Sequence, residues 1–292
     1  MNDGPRAALL LTTLTLLFVL AGRAAGGTEG MVIAFVLALL MNFSTYWFSD
    51  RIALSMVGAR EISPERAPDL HRMVEQLAIL AGLPKPRVYV MESASPNAFA
   101  TGRDPAHSAV AVTTGIQRIL TRDELEGVLS HELAHVRNRD TLISAFVATM
   151  AGTITMIAGM GRWALMFGGF GRSDSEEGEG GIADLAGSIL MILVAPIAAT
   201  FIQLAVSRAR EYGADALGAR ILGDPLPLAR ALEKLEIGNR ALPMKVNPAT
   251  AHQFIVQPLA GGGMMRLFST HPPVEERVRR LSEMALGPIS FL

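Results

Sequence analysis

The chain has 292 residues, 50% of them hydrophobic, and a mean hydropathy of +0.34. Soluble domains rarely reach that value, so membrane segments are expected. The formal net charge of −1 excludes a global field for nucleic acid, and the lack of cysteine excludes disulfides and thiolate metal ligands. It fits a reducing compartment and leaves His, Asp and Glu as the strong zinc ligands.

Ala7 to Ala21 is an apolar run behind Arg6. Alone it reads as a signal peptide, with the small residues Ala21 to Ala25 as a cleavage site, or as the first arm of a helical pair. A second run, Met31 to Phe48, follows after a few residues and favours the pair, although the first arm is short for a span. Tyr46 and Trp47 sit where an interfacial aromatic anchor is useful.

From Asp50 the character changes. Residues 50–140 hold 11 Lys plus Arg and read as water-soluble. Helical periodicity over Pro64 to Ala81 puts Leu70, Val74, Leu77 and Ala78 on one face, and Gly82 to Pro86 breaks it. Arg87 to Met91 reads as a strand, as do Asn97 to Thr101 and Ala109 to Thr114, with a turn at Gly102 to Pro105. Thr121 is an N-cap whose capping box is completed by Glu124.

The helix that starts there carries His131-Glu132-Leu133-Ala134-His135. Histidines four apart share a helix face, so both imidazoles can reach one metal ion, and the glutamate between them can take a proton from a metal-bound water. This is the His-Glu-x-x-His arrangement of zinc hydrolases, which needs a third protein ligand and an open coordination position.

A third apolar stretch, Leu142 to Met160, follows. Residues 168–184 form a Gly-rich acidic loop with Arg172 as its one basic residue, which reads as a disordered linker. Leu185 to Val206 is the fourth apolar segment; Pro196 within it would kink a helix, as membrane helices tolerate. The tail, 207–292, again holds 11 Lys plus Arg. Basic residues stay cytoplasmic, which puts 50–140 and 207–292 inside, the acidic loop outside and both termini inside.

The expected architecture is α+β: a mostly helical integral membrane protein with about four transmembrane helices and a zincin-like cytosolic domain holding a small β-sheet. Its parts are a transmembrane hairpin (1–49), a cytosolic part with the strands and the motif helix (50–141), a second hairpin (142–206) and a cytosolic part with the third ligand (207–292).

Glu211, just past the fourth apolar segment, is the best third ligand, because an antiparallel pairing of segments three and four brings it to His131 and His135. Asp215 shares its helix face and could accept a hydrogen bond from a ligand histidine's second nitrogen. Without the histidine motif both would read as an ordinary polar helix face.

With Glu211-Tyr212-Gly213-Ala214-Asp215 behind His131-Glu132-Leu133-Ala134-His135, the chain resembles the HtpX branch of membrane zinc metalloproteases, with the CAAX prenyl endopeptidases as distant relatives. Two more stretches match: Ser95-Pro96-Asn97-Ala98-Phe99-Ala100-Thr101-Gly102, and Thr270-His271-Pro272-Pro273 with Arg277. The resemblance implies a bacterial inner-membrane endopeptidase with a cytosolic site, acting on misfolded or membrane proteins in quality control and stress response. It implies one Zn2+ per chain on His131, His135 and Glu211, and Glu132 as general base. Asn97, Ala98, Phe99 and Ala100 would line the substrate cleft, where an exposed strand edge could pair with an extended peptide. His271 and Arg277 could stabilise an oxyanion or pair with Asp215.

His71, His107 and His252 read as solvated surface residues. Arg122, Asp123, Glu124, Glu126, Arg137, Asn138, Arg139 and Asp140 flank the motif, so the site belongs at the membrane surface rather than in lipid. The competing reading is a non-catalytic membrane scaffold that keeps zinc for folding; an intact Glu132 and an open coordination position argue against it. A transporter is disfavoured by apolar segments nearly free of ionisable residues. Peptide substrates and the lipid bilayer are the expected partners, nucleic acid is not, and the sequence specifies no oligomeric state.

Overall fold

The computed structural model describes residues 4–142, 144, 208–243, 253–256 and 272–287. Apart from Leu142 and Ser144, the third and fourth apolar segments lie outside these, as do the acidic loop, His252 and His271.

Helix α1 (Gly4–Met56) is bent at Gly26 and Gly27, whose backbone is non-helical. Thr15 Oγ1 accepts from Asn42 Nδ2 at 2.9 Å. In a straight helix those residues would be about 40 Å apart, so the two arms fold back on each other. The second arm runs past Phe48 to Met56, because its last turns pack on protein rather than ending at a boundary. Leu54 and the following Val57 join Tyr89, Met91, Phe99, Ala109 and Ala111 on one face of the sheet, and Arg87 pairs with Asp50.

The sheet has the order β1-β2-β4-β3. Strand β1 (Arg60–Glu61) pairs antiparallel with β2 (Arg87–Met91), which runs parallel to β4 (Ser108–Thr113); β3 (Ala98–Gly102) lies antiparallel on the outer edge. The β-rich stretches are Val-, Ala- and Thr-dominated and almost fully buried, as expected of strands covered on both faces. Helix α2 (Pro68–Ala81) starts at a proline and ends at Gly82 in the left-handed conformation. It packs Leu70, Met73, Val74 and Leu77 into the core on the other face of the sheet.

Short helix α3 (Thr114–Ile119) leads to α4 (Arg122–Asn138). The capping box is complete: Thr121 Oγ1 accepts from the Glu124 backbone N–H, and Glu124 Oε2 accepts from that of Thr121 at 2.8 Å. Lys234 of α6 (Leu226–Ala241) donates to the same Glu124 oxygen at 2.8 Å, which ties the start of α4 to its neighbour. Helix α4 is enclosed by α2, α5 (Arg208–Leu222), α6 and β3, and α7 (Val274–Leu286) closes on α5 and α6.

Two glycines set how closely these helices approach α4. A Cβ on Gly127 would stand 2.6 Å from the Leu228 backbone nitrogen, and one on Gly218 would stand 2.9 Å from the Cα and nitrogen of His131. Both contacts are backbone, so a side chain there forces the helices apart. Gly218→Ala is expected to cost about 1–3 kcal/mol and to weaken metal binding, because α5 carries Glu211 on the same face. Gly213, whose Cβ would meet nothing within 4 Å among the described residues, is the control: Gly213→Ala should gain about 0.5–1 kcal/mol in denaturant unfolding.

Candidate metal centre

His131 and His135 lie one turn apart on α4 with their rings edge to face, centroids 4.7 Å apart. Their Nε2 atoms face each other at 3.2 Å. Glu211 on α5 completes a triangle, with Oε1 3.5 Å from His135 Nε2 and Oε2 3.9 Å from His131 Nε2. Two ligands at about 2.05 Å on a tetrahedral zinc would stand about 3.3 Å apart. The three donors all lie within 4.8 Å of one another, a cluster that could close on one such ion.

The outer nitrogens are held too. His131 Nδ1 lies 2.9 Å from Asp215 Oδ1, and His135 Nδ1 lies 3.0 Å from Asp140 Oδ2. An Nδ1–H given to a carboxylate leaves the Nε2 lone pair for the metal and makes it more basic. Arg277, 1% exposed, clamps Asp215 with Nε to Oδ2 at 2.8 Å and Nη2 to Oδ1 at 2.7 Å, and gives Nη1 to the Ile255 carbonyl at 3.0 Å.

Charge in this buried pocket is skewed towards the negative. Burial pushes His131 down to about 4, against the pull of Asp215, so near neutral pH it is a neutral imidazole. Burial acts the same way on His135, but the Asp140 hydrogen bond and the charges of Glu211, Asp140 and Glu132 outweigh it and push the ring up to about 9. Glu132 is pushed up to about 7, mainly by burial and with Glu211 adding to it, against the pull of His135 and a hydrogen bond from the Ala100 backbone.

The structure meets the other sequence candidates unevenly. Asn97 is fully buried, its backbone N–H donating to Thr113 Oγ1 at 2.9 Å and its Nδ2 to the Val256 carbonyl at 2.9 Å. The edge of β3 is not exposed as expected: all its residues are buried, and the Ala98 carbonyl already accepts from Ile255 N–H at 3.1 Å. Ala98 and Ala100 pack in the core shared with α4, whereas Phe99 turns to the opposite face, against Phe254 with centroids 5.3 Å apart. Arg277 pairs with Asp215 and donates to the Ile255 carbonyl, and its Nη1 also lies 3.9 Å from Glu211 Oε2 at the donor triangle. His271 lies outside the described residues. His107 is exposed and bonds Asp104, but His71 is half-buried, with Nε2 2.9 Å from the Ile62 carbonyl. Sequence reasoning passed over Asp140 as a flanking charge; its signal was a carboxylate just past the end of the motif helix.

Comparison with known proteins decides the family: the profile of Peptidase family M48 matches residues 64–285. The chain belongs to peptidase family M48. This M48 peptidase is 56% identical over 269 residues to "Protease HtpX homolog" of Aquifex aeolicus, covering 92% of this chain and 89% of that one. It is 54% identical over 282 residues to the protein of the same name from Pyrococcus furiosus, covering 96% of each. The crystal structure of S. mikatae Ste24p is similar in fold, with a TM-score of 0.52 at 20% identity, over 94% of this chain and 64% of that longer one. The M48 peptidase is thus a membrane metalloprotease with a mostly helical fold and a small mixed sheet, acting on peptide or protein substrates, and the scaffold reading is not favoured. Among the described residues, 26–44 of α1 form a helix long and apolar enough to cross a membrane.

Proposed function

We propose that the chain is a zinc endopeptidase in which His131, His135 and Glu211 hold one Zn2+ and Glu132 is the general base. The observation that carries the reading is the convergence of both Nε2 atoms and a Glu211 oxygen while both Nδ1 atoms face carboxylates. Zinc bound there supplies Lewis acidity, lowering the pKa of its water to about 7 and polarising the scissile carbonyl. Glu132 takes the proton of the attacking water and hands it to the leaving amine. Asp215, held by Arg277, keeps the His131 ring in place.

We place the site at a bilayer surface, on the cytosolic side of a bacterial inner membrane, with four spans: 7–21, 31–48, 142–160 and 185–206. Two features support this. Arg210 Nη1 lies 3.9 Å from Asp140 Oδ1, so the chain leaves after residue 142 and returns at 208 to the same place, as an out-and-back pair requires. The turn after β3 is tied to the aromatic end of α1, with Arg103 Nη1 donating to the Trp47 carbonyl at 3.2 Å and stacking over its ring at 4.7 Å. Misfolded or membrane proteins are the substrates such a site meets. The domain division at 49, 141 and 206 follows from the same topology.

The test is cleavage of casein by the detergent-purified chain. We expect activity that disappears on chelation and returns with one equivalent of zinc. Cleavage that survives removal of the metal would place the chemistry elsewhere.

A further inference from the structure

We propose that Asp140 is a positioning residue for the metal centre, holding His135 through its Nδ1, and that the left-handed turn at Arg139 is what delivers it. The inference rests on the metal-ligand reading above. Had α4 run on, residue 140 would lie five positions past His135, about 140° round the helix, and could not reach it. Instead α4 stops at Asn138 and Arg139 takes φ 62, ψ 22. It is the one non-glycine residue with positive φ among the described residues. An L-residue is disfavoured there, and glycine or asparagine is the usual occupant of such a helix end.

The turn swings Asp140 back under the helix. Its side chain is 8% exposed, with Oδ2 3.0 Å from His135 Nδ1 and Oδ1 3.9 Å from Arg210 Nη1 on α5. The next residue anchors the turn on its other side: Thr141 Oγ1 donates to the Gly102 carbonyl at the end of β3, at 3.0 Å. One short stretch therefore touches a metal-ligating ring, the helix that carries Glu211 and the edge strand. The arrangement parallels Asp215 on His131, so each imidazole has its own carboxylate and its Nε2 lone pair is directed at the metal.

The experiment uses the full chain in detergent as wild type, Asp140→Ala, Asp140→Asn and Arg139→Gly, with the zinc dissociation constant read by chelator competition. Thermal unfolding of the metal-free proteins is read alongside. Asp140→Ala should bind zinc about 10–100-fold more weakly. Asp140→Asn, which keeps an oxygen acceptor for Nδ1–H, should recover part of that loss. Arg139→Gly, free to adopt the same turn, should bind as wild type does. Wild-type affinity in Asp140→Ala would overturn the proposal. So would an equal loss in the alanine and asparagine variants that tracks a drop in metal-free melting temperature, because that is the mark of a merely structural carboxylate. A wild-type chain that binds no zinc would instead overturn the metal-centre reading itself.

Discussion

Glu132→Gln is expected to leave the metal bound and lower turnover by about 10²–10⁴-fold, the range for losing a positioned general base. The donor triangle consists of His131, His135 and Glu211, so removing the charge at position 132 takes away no ligand. Glutamine keeps the shape and still accepts from the Ala100 backbone, so the fold around the 3%-exposed side chain should persist. What disappears is the capacity to take a proton. Steady-state cleavage together with metal content measures both halves. A retained rate would remove Glu132 from the mechanism, and metal loss would mean that it holds the ion.

Local signals in the sequence were enough for several elements. The Thr121–Glu124 capping box, the strand at Arg87 to Met91 and the spacing of His131 and His135 each depend on neighbours within a turn or a strand. Chain order was enough to nominate Glu211, because a segment that leaves and returns must bring its two ends together. Three features escaped for reasons of geometry. Asp140 was hidden because helical periodicity places it away from His135, and only the left-handed Arg139 reverses that. The cover over Ala98 comes from Ile255, more than 150 positions along the chain, in a stretch with no periodic pattern. The run of α1 to Met56 passes Ser49, Asp50 and Arg51, which hydropathy counts against a helix; Asp50 is instead accepted by pairing with Arg87 on the sheet. Local patterns thus nominate the candidate ligands. Long-range contacts decide which partners orient them and which stretch of strand edge a peptide can use.

Arg277→Met should be the most destabilising of the substitutions considered, at about 3–5 kcal/mol, since removing one partner strands the other charge in the interior. Arg277 and Asp215 are 1% and 4% exposed, and two hydrogen bonds join them. Burial alone would raise the Asp215 carboxyl, yet the Arg277 charge and its bonds, with His131 behind them, hold it well below the usual carboxylate range. Without the guanidinium that carboxylate keeps, among the described residues, the imidazole of His131, and the Ile255 carbonyl loses the Arg277 donor as well. Arg277→Lys should recover little, because an ammonium cannot span both Asp215 oxygens and the Ile255 oxygen at once. Denaturant unfolding checks the magnitude, and a cycle with Asp215→Asn separates its cause. If the penalty is the stranded charge, Arg277→Met costs less in the Asp215→Asn background than in the wild type. Additive losses would instead mean that Arg277 stabilises the fold chiefly by filling space between α5 and α7. The same cycle bears on chemistry: an Asp215→Asn single variant that keeps its stability but loses zinc affinity would show that Asp215 must be charged, and not merely present, to hold the His131 ring.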